Sequence, residues 1–110
     1  MFEVDELGDI RSFRVEGHAG FAQAGQDIVC AAVSALTISA VNGLEKYLSV
    51  PPVYRAEDGF LECTLKRLTT DQDRLMARAI LGTMLQGLEG IRESHASRFV
   101  MFEQRRWTPC

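Results

Sequence analysis

The 110-residue chain is poor in the residues that tie a protein together covalently. Its three cysteines, Cys30, Cys63 and Cys110, are too few and too scattered for a disulfide framework, and an odd count suits a reducing compartment. The chain also has no basic surplus. Twelve Lys and Arg against fifteen Asp and Glu leave a net charge of −3, which disfavours a general nucleic-acid clamp. Two histidines and the dispersed cysteines offer no metal-ligand spacing such as Cys-x-x-Cys, so no metal is expected. No Walker or dinucleotide glycine motif is present, so the expectation is chemistry without a cofactor. The segment Met1 to Gly8 carries Glu3, Asp5 and Glu6 and no base, unlike the positive start of a signal peptide. The most apolar stretch, Ile28 to Val41, is fourteen residues long and is interrupted by Ser34, Thr37 and Ser39. A membrane span needs about 20 apolar residues, so a buried core helix is expected. These absences together point to a cytoplasmic protein.

What is present is ordinary globular composition, 46% hydrophobic and 25% charged, in a length that fits one domain over residues 1–110. Met1 to Leu7 and Ile10 to Glu16 read as two strands joined at Gly8-Asp9. A glycine-rich stretch, Gly17 to Gln26, reads as a mobile loop. Asp27 to about Leu48 is expected as the first helix, with the Asp27 carboxylate as N-cap. Its body is apolar nearly all round and rich in small residues, which suggests a long helix enclosed on several sides. Pro51-Pro52 stops it. Val53 to Ala56 and Phe60 to Arg67 flank the turn signal Glu57-Asp58-Gly59, with Leu61, Cys63 and Leu65 facing inward. Thr70 and Asp73 form a capping-box-like start for a second helix, whose apolar positions from Leu75 to Ile91 follow a period near 3.6. Ser97 to Gln104 reads as a last strand, and the Arg105-Arg106-Trp107 segment as a surface tail. The fold class is therefore α+β, ordered strand-strand-helix-strand-strand-helix-strand, with the strand pairing left open.

One stretch combines a nucleophile, a base and a pliable backbone: His18, the glycines, then Asp27-Ile28-Val29-Cys30. With Asp27 as the cap, Cys30 would be the third helical residue, where the positive end of the helix dipole favours thiolate. The Asp27 carboxylate opposes this. His18 within hydrogen-bond reach of Cys30 would make an activated thiol with its general base, and free amides at the helix start could receive an oxyanion. The plainer reading of the same residues is a packed thiol, a solvated histidine and an ordinary cap. Ser34, one turn beyond Cys30, either bonds nearby groups in the site or its own backbone. The residues alone leave these alternatives open.

The motifs Gly17-His18-Ala19-Gly20 and Gly25-Gln26-Asp27-Ile28-Val29-Cys30-Ala31-Ala32-Val33-Ser34-Ala35-Leu36 closely resemble the ribosomal-processing cysteine protease family, Prp. Asn42-Gly43-Leu44-Glu45 fits the same pattern, and Leu85-Gln86-Gly87-Leu88 with Ile91 does so more weakly. The resemblance implies a bacterial cytoplasmic endopeptidase, typically a homodimer. It would remove the N-terminal extension of large-subunit ribosomal protein twenty-seven. By motif, Cys30 matches the nucleophile and His18 the general base, with Asp27 and Ser34 in support. Gly17, Gly20 and Gly25 fall in a loop that would order around substrate. No membrane or direct nucleic-acid partner is expected. The alternative from another class is a non-catalytic, ribosome-associated module that grips a peptide without cutting it.

Overall fold

The computed structural model describes residues 1–16, 24–57, 59–94 and 104–106. Along the chain they form β1 (Phe2–Val4), β2 (Ile10–Glu16), α1 (Ala24–Tyr47), β3 (Val53–Glu57), β4 (Phe60–Thr64), α2 (Asp71–Ser94) and β5 (Gln104–Arg106). The element order is the one the sequence predicts, and the class is α+β.

The β1–β2 connection is built by Asp5. Its carboxylate accepts hydrogen bonds from the Leu7 and Asp9 amides at 2.9 and 3.0 Å, the local bonding that makes aspartate a turn former. Gly8 lies at φ 81°, a left-handed backbone where a side chain would be strained. The turn consumes the end of the expected first strand, so β1 stops at Val4. Gly59, at φ 71°, plays the corresponding part in the β3–β4 hairpin.

The five strands pair in the order β3-β4-β2-β1-β5. Neighbours are antiparallel except β1 and β5, which run parallel with Phe2 opposite Gln104 and Val4 opposite Arg106. Arg105 and Arg106 are thus strand residues rather than part of a loose tail, because β1 offers them an edge to pair with. Of the expected final strand, only Gln104 lies within the described residues. On β4, Leu61 and Cys63 are buried, with Leu65 just beyond, and they meet Phe2 and Phe13 on the same side of the sheet. Both helices close over this side.

Helix α2 begins as expected. The Thr70 hydroxyl accepts from the Asp73 amide at 3.1 Å, satisfying one of the unpaired donors of the first turn. The Asp73 carboxylate also reaches the segment after α1, accepting from the Ser49 amide at 3.1 Å and from the Ser49 hydroxyl. Arg78, a turn and a half further on, donates twice to Asp9 at 2.8 and 2.9 Å, tying α2 to the start of β2.

Helix α1 corrects the expectation in two ways. It starts at Ala24, so Gly25, Gln26 and Asp27 are helical and Asp27 is the fourth residue rather than the cap. Alanine and glutamine are good helix formers, and a glycine in the first turn costs only about 1 kcal/mol. Secondly, the helix is covered on one side only. Thr37, Ala40, Val41 and Leu44 are buried, whereas Ile28 is 72% exposed, Ile38 49% and Tyr47 56%. The apolar stretch Ile28–Tyr47 is, by length and composition, sufficient to cross a membrane; here its inner stripe packs against α2.

Among the described residues, two carboxyls lie below the usual range: Asp73, chiefly through its hydrogen bonds from Ser49, and Asp9, chiefly through that from Arg78. Because the folded values are the lower ones, the unfolded chain binds more protons in acid. The stabilisation is complete above the ordinary carboxyl value of about 4 and is lost as the pH falls through the folded values. Asp73→Asn should therefore lower the urea midpoint at pH 7, and its gap from wild type should shrink below about pH 4. Equal midpoints at pH 7 would contradict the Asp73–Ser49 tether.

Candidate active site

Position 30 falls on the inward stripe of α1. Cys30, Thr37 and Leu44 are separated by seven residues, two helical turns, and so share one side of the helix. Leu44 and Thr37 are 0% and 1% exposed, and Cys30 is half-buried. The stripe thus emerges from the core towards the amino end of α1 and presents a thiol there. Thr37 braces this part of the helix, its hydroxyl donating to the carbonyl of Val33 at 2.9 Å and of Ser34 at 3.3 Å.

Because α1 begins at Ala24, Cys30 is its seventh residue rather than the third. The first four amides of a helix are the ones without internal partners. In α1 these belong to residues 24–27, and the last of them is about 4.5 Å along the axis from Cys30. The dipole effect fades within the first turn, so the expected activation of the thiol by the helix start is much reduced. Any oxyanion stabilisation from those amides likewise acts a turn away from the sulfur.

The other expected site residues are distributed as follows. Asp27 is one turn before Cys30 in the helical backbone, and Gly25 is helical, not part of a loop. Ser34 is one turn after Cys30 and exposed; its carbonyl receives the Thr37 hydroxyl. His18, Gly17 and Gly20 lie outside the described residues. Among the described residues, no group of three His, Cys, Asp or Glu side chains is placed to hold a metal ion.

Strand β2 ends beside the β3–β4 hairpin. Glu16, the last residue of β2, pairs with Phe60, which in turn pairs with Glu57. The chain therefore leaves β2 for α1 beside the β3–β4 turn. The rim there is charged: Arg14 meets Glu16 at 3.0 Å, and the Arg55 guanidinium sits 4.9 Å from the centre of the Phe60 ring. Exposed pairs of this kind add at most about 1 kcal/mol of stability. They set the polarity of the rim more than they hold the fold.

The two described thiols differ sharply. Cys63 is 1% exposed in the core, and burial first, then the Glu45 carboxylate, push it up to about 12. It is a packing residue with almost no thiolate at neutral pH. Cys30 is the accessible one.

These features define a two-layer α+β domain with a half-buried cysteine, Cys30, on a long helix. The family model for the cysteine protease Prp matches residues 1–99. The ribosomal processing cysteine protease Prp of Staphylococcus aureus is 32% identical over 92 residues, covering 84% of this chain and 85% of its own length. The Prp of Bacillus subtilis is 33% identical over 88 residues, covering 78% and 79%. Among solved structures, SMU.848 from Streptococcus mutans superposes with a TM-score of 0.80 at 28% identity, covering 96% of this chain and 91% of that one. S. aureus Prp in complex with a substrate peptide gives 0.76 at 27% identity, covering 96% of this chain and all of the other. The same enzyme with a covalently linked product peptide gives 0.74 at 28%, with the same coverage. The chain belongs to the Prp family of ribosomal processing cysteine proteases, and it is a cysteine protease.

Iodoacetamide at neutral pH should alkylate Cys30 in the folded protein while leaving Cys63 unmodified until denaturant is added. Peptide mapping by mass spectrometry reads both sites in one experiment. Labelling of Cys63 in the native protein at the Cys30 rate would contradict the assigned burial.

Proposed function

We propose that Cys30 is the nucleophile and His18 the general base of a Cys–His dyad that removes the N-terminal extension of large-subunit ribosomal protein twenty-seven in the cytoplasm. The observation that carries the reading is the half-buried Cys30 thiol, on the inward stripe of α1 in the turns that follow the His18 motif. The dyad removes the need for the helix dipole. A histidine base activates a thiol whose helix position does little for it.

In the proposed reaction, the His18 imidazole takes the Cys30 Sγ proton and the thiolate attacks the scissile carbonyl carbon. The tetrahedral species collapses with cleavage of the C–N bond, and the imidazolium protonates the departing amine. The thioester left on Cys30 is hydrolysed by water that gives a proton to His18, releasing the new carboxylate and restoring the thiol. A covalently linked product peptide, the form described for S. aureus Prp, is the kind of adduct that thiol acylation produces. Asp27 and Ser34, one turn to either side of Cys30 on α1, are supporting residues.

Incubated with the precursor ribosomal protein, the enzyme should generate a single new N-terminus, detected by mass spectrometry. Cys30→Ala should abolish the cut. His18→Ala should slow it by about 10²-fold or more, the usual worth of a positioned base. Cutting by Cys30→Ala at the wild-type rate would sink the dyad.

The homodimer belongs to the same proposal. Ile28, Ala31, Ala35 and Ile38 recur at spacings of three and four on the outward side of α1, and all are exposed. An apolar stripe of this kind fits the same stripe on a second copy about a two-fold axis. Ile38→Glu should convert the dimer to monomer in sedimentation equilibrium. An unchanged mass would place the interface elsewhere.

A further inference from the structure

Leu36 of α1 seats closely on Gly87 of α2. A Cβ added at Gly87 would stand 2.9 Å from Leu36 Cδ1 and 3.2 Å from Cδ2, with Cγ at 3.7 Å. Both methyls of Leu36 lie against the glycine, so an added Cβ makes either the Leu36 side chain or the helix that carries it give way. The second close contact is looser: a Cβ on Gly43 would meet Ile80 side-chain carbons at 3.7 Å or more. The pairs Leu36/Gly87 and Gly43/Ile80 are seven residues apart on each helix and run in opposite senses, so α1 and α2 are antiparallel. Extending that register six residues beyond Leu36 brings Cys30, about 9 Å further along α1, level with the last turn of α2.

No described residue of α1 before Thr37 is fully buried. Leu36 packs against the core six residues beyond Cys30, so its close seat on Gly87 bears on the direction of the turns that carry the thiol. We propose that Gly87 is a positioning residue for Cys30: its missing side chain lets Leu36 draw α1 against α2 and so fixes where the thiol stands. The proposal rests on Cys30 being the nucleophile. Gly87 touches no reacting atom and acts through Leu36 and the helix.

Two substitutions isolate the effect. Alanine is a better helix former than glycine, so Gly87→Ala does not act by weakening α2. Gly82 on the same helix has nothing within 4 Å of an added Cβ, so Gly82→Ala is the control. Leu36→Val removes the two methyls that would clash and should rescue Gly87→Ala. Cleavage of the precursor ribosomal protein by Gly87→Ala should show kcat lowered about tenfold to a hundredfold, the effect of a misplacement near 1 Å, with KM nearly unchanged. Gly82→Ala should cut at the wild-type rate, and the Gly87→Ala/Leu36→Val double variant should recover most of the loss. In parallel, the Cys30 amide resonance should shift in Gly87→Ala and return in the double variant, a readout that needs no substrate. Wild-type kcat with an unmoved Cys30 resonance, or equal losses in Gly82→Ala, would overturn the proposal. Cys30→Ala reports separately on the nucleophile. If that variant still cuts, the nucleophile assignment fails, while the resonance still decides whether Gly87 governs the position of residue 30.

Discussion

The antiparallel contact between α1 and α2 is the constraint on which the rest of the molecule depends. The sheet alone cannot cover its apolar side, and each helix has only one stripe to offer. α1 contributes Thr37, Ala40, Val41 and Leu44, while α2 contributes Ala77, Leu81, Met84 and Leu88. These stripes close over Phe2, Phe13, Leu61 and Cys63 only if the helix axes come close together. Glycine on α2 at Leu36 and glycine on α1 at Ile80 allow that approach. The same contact determines which turn of α1 projects beyond the core, and that turn carries Cys30.

Polar tethers secure the end of the helix pair opposite the site. Asp73 holds Ser49 just after α1, Thr70 caps α2, and Arg78 grips Asp9 at the start of β2. In the amino-terminal half of α1, Val33 and Leu36 pack against the core and the Thr37 hydroxyl bonds back to Val33. The polar tethers therefore gather at one end of the helix pair, and Cys30 lies towards the other.

Environment, not chemistry, separates the two described cysteines. Cys63 points from a central strand into the core, and burial makes it a small apolar residue with a suppressed ionisation. Cys30 sits where the inward stripe of α1 runs out of core to pack against, so it is half-buried rather than enclosed.

Much of the fold was legible in local sequence because it follows from short-range chemistry. Strand β2 spans the expected Ile10 to Glu16, Glu57-Asp58-Gly59 marked the hairpin, and Thr70 with Asp73 marked the start of α2. The glycine- and cysteine-bearing motifs also pointed to the family whose model matches residues 1–99. Other features needed the third dimension. Asp27 resembled a cap because its residue type suits one, yet a cap is defined by where the helix begins, and α1 begins at Ala24. The apolar composition of α1 suggested enclosure on several sides, but how much of a helix is covered depends on what packs beside it. The parallel pairing of β5 with β1, the Asp73–Ser49 tether and the seat of Leu36 on Gly87 join residues that are 24 to more than 100 positions apart. Local propensity has no term for such contacts. They exist only once the helices and sheet have met, and they decide where the cysteine that the sequence supplies is held.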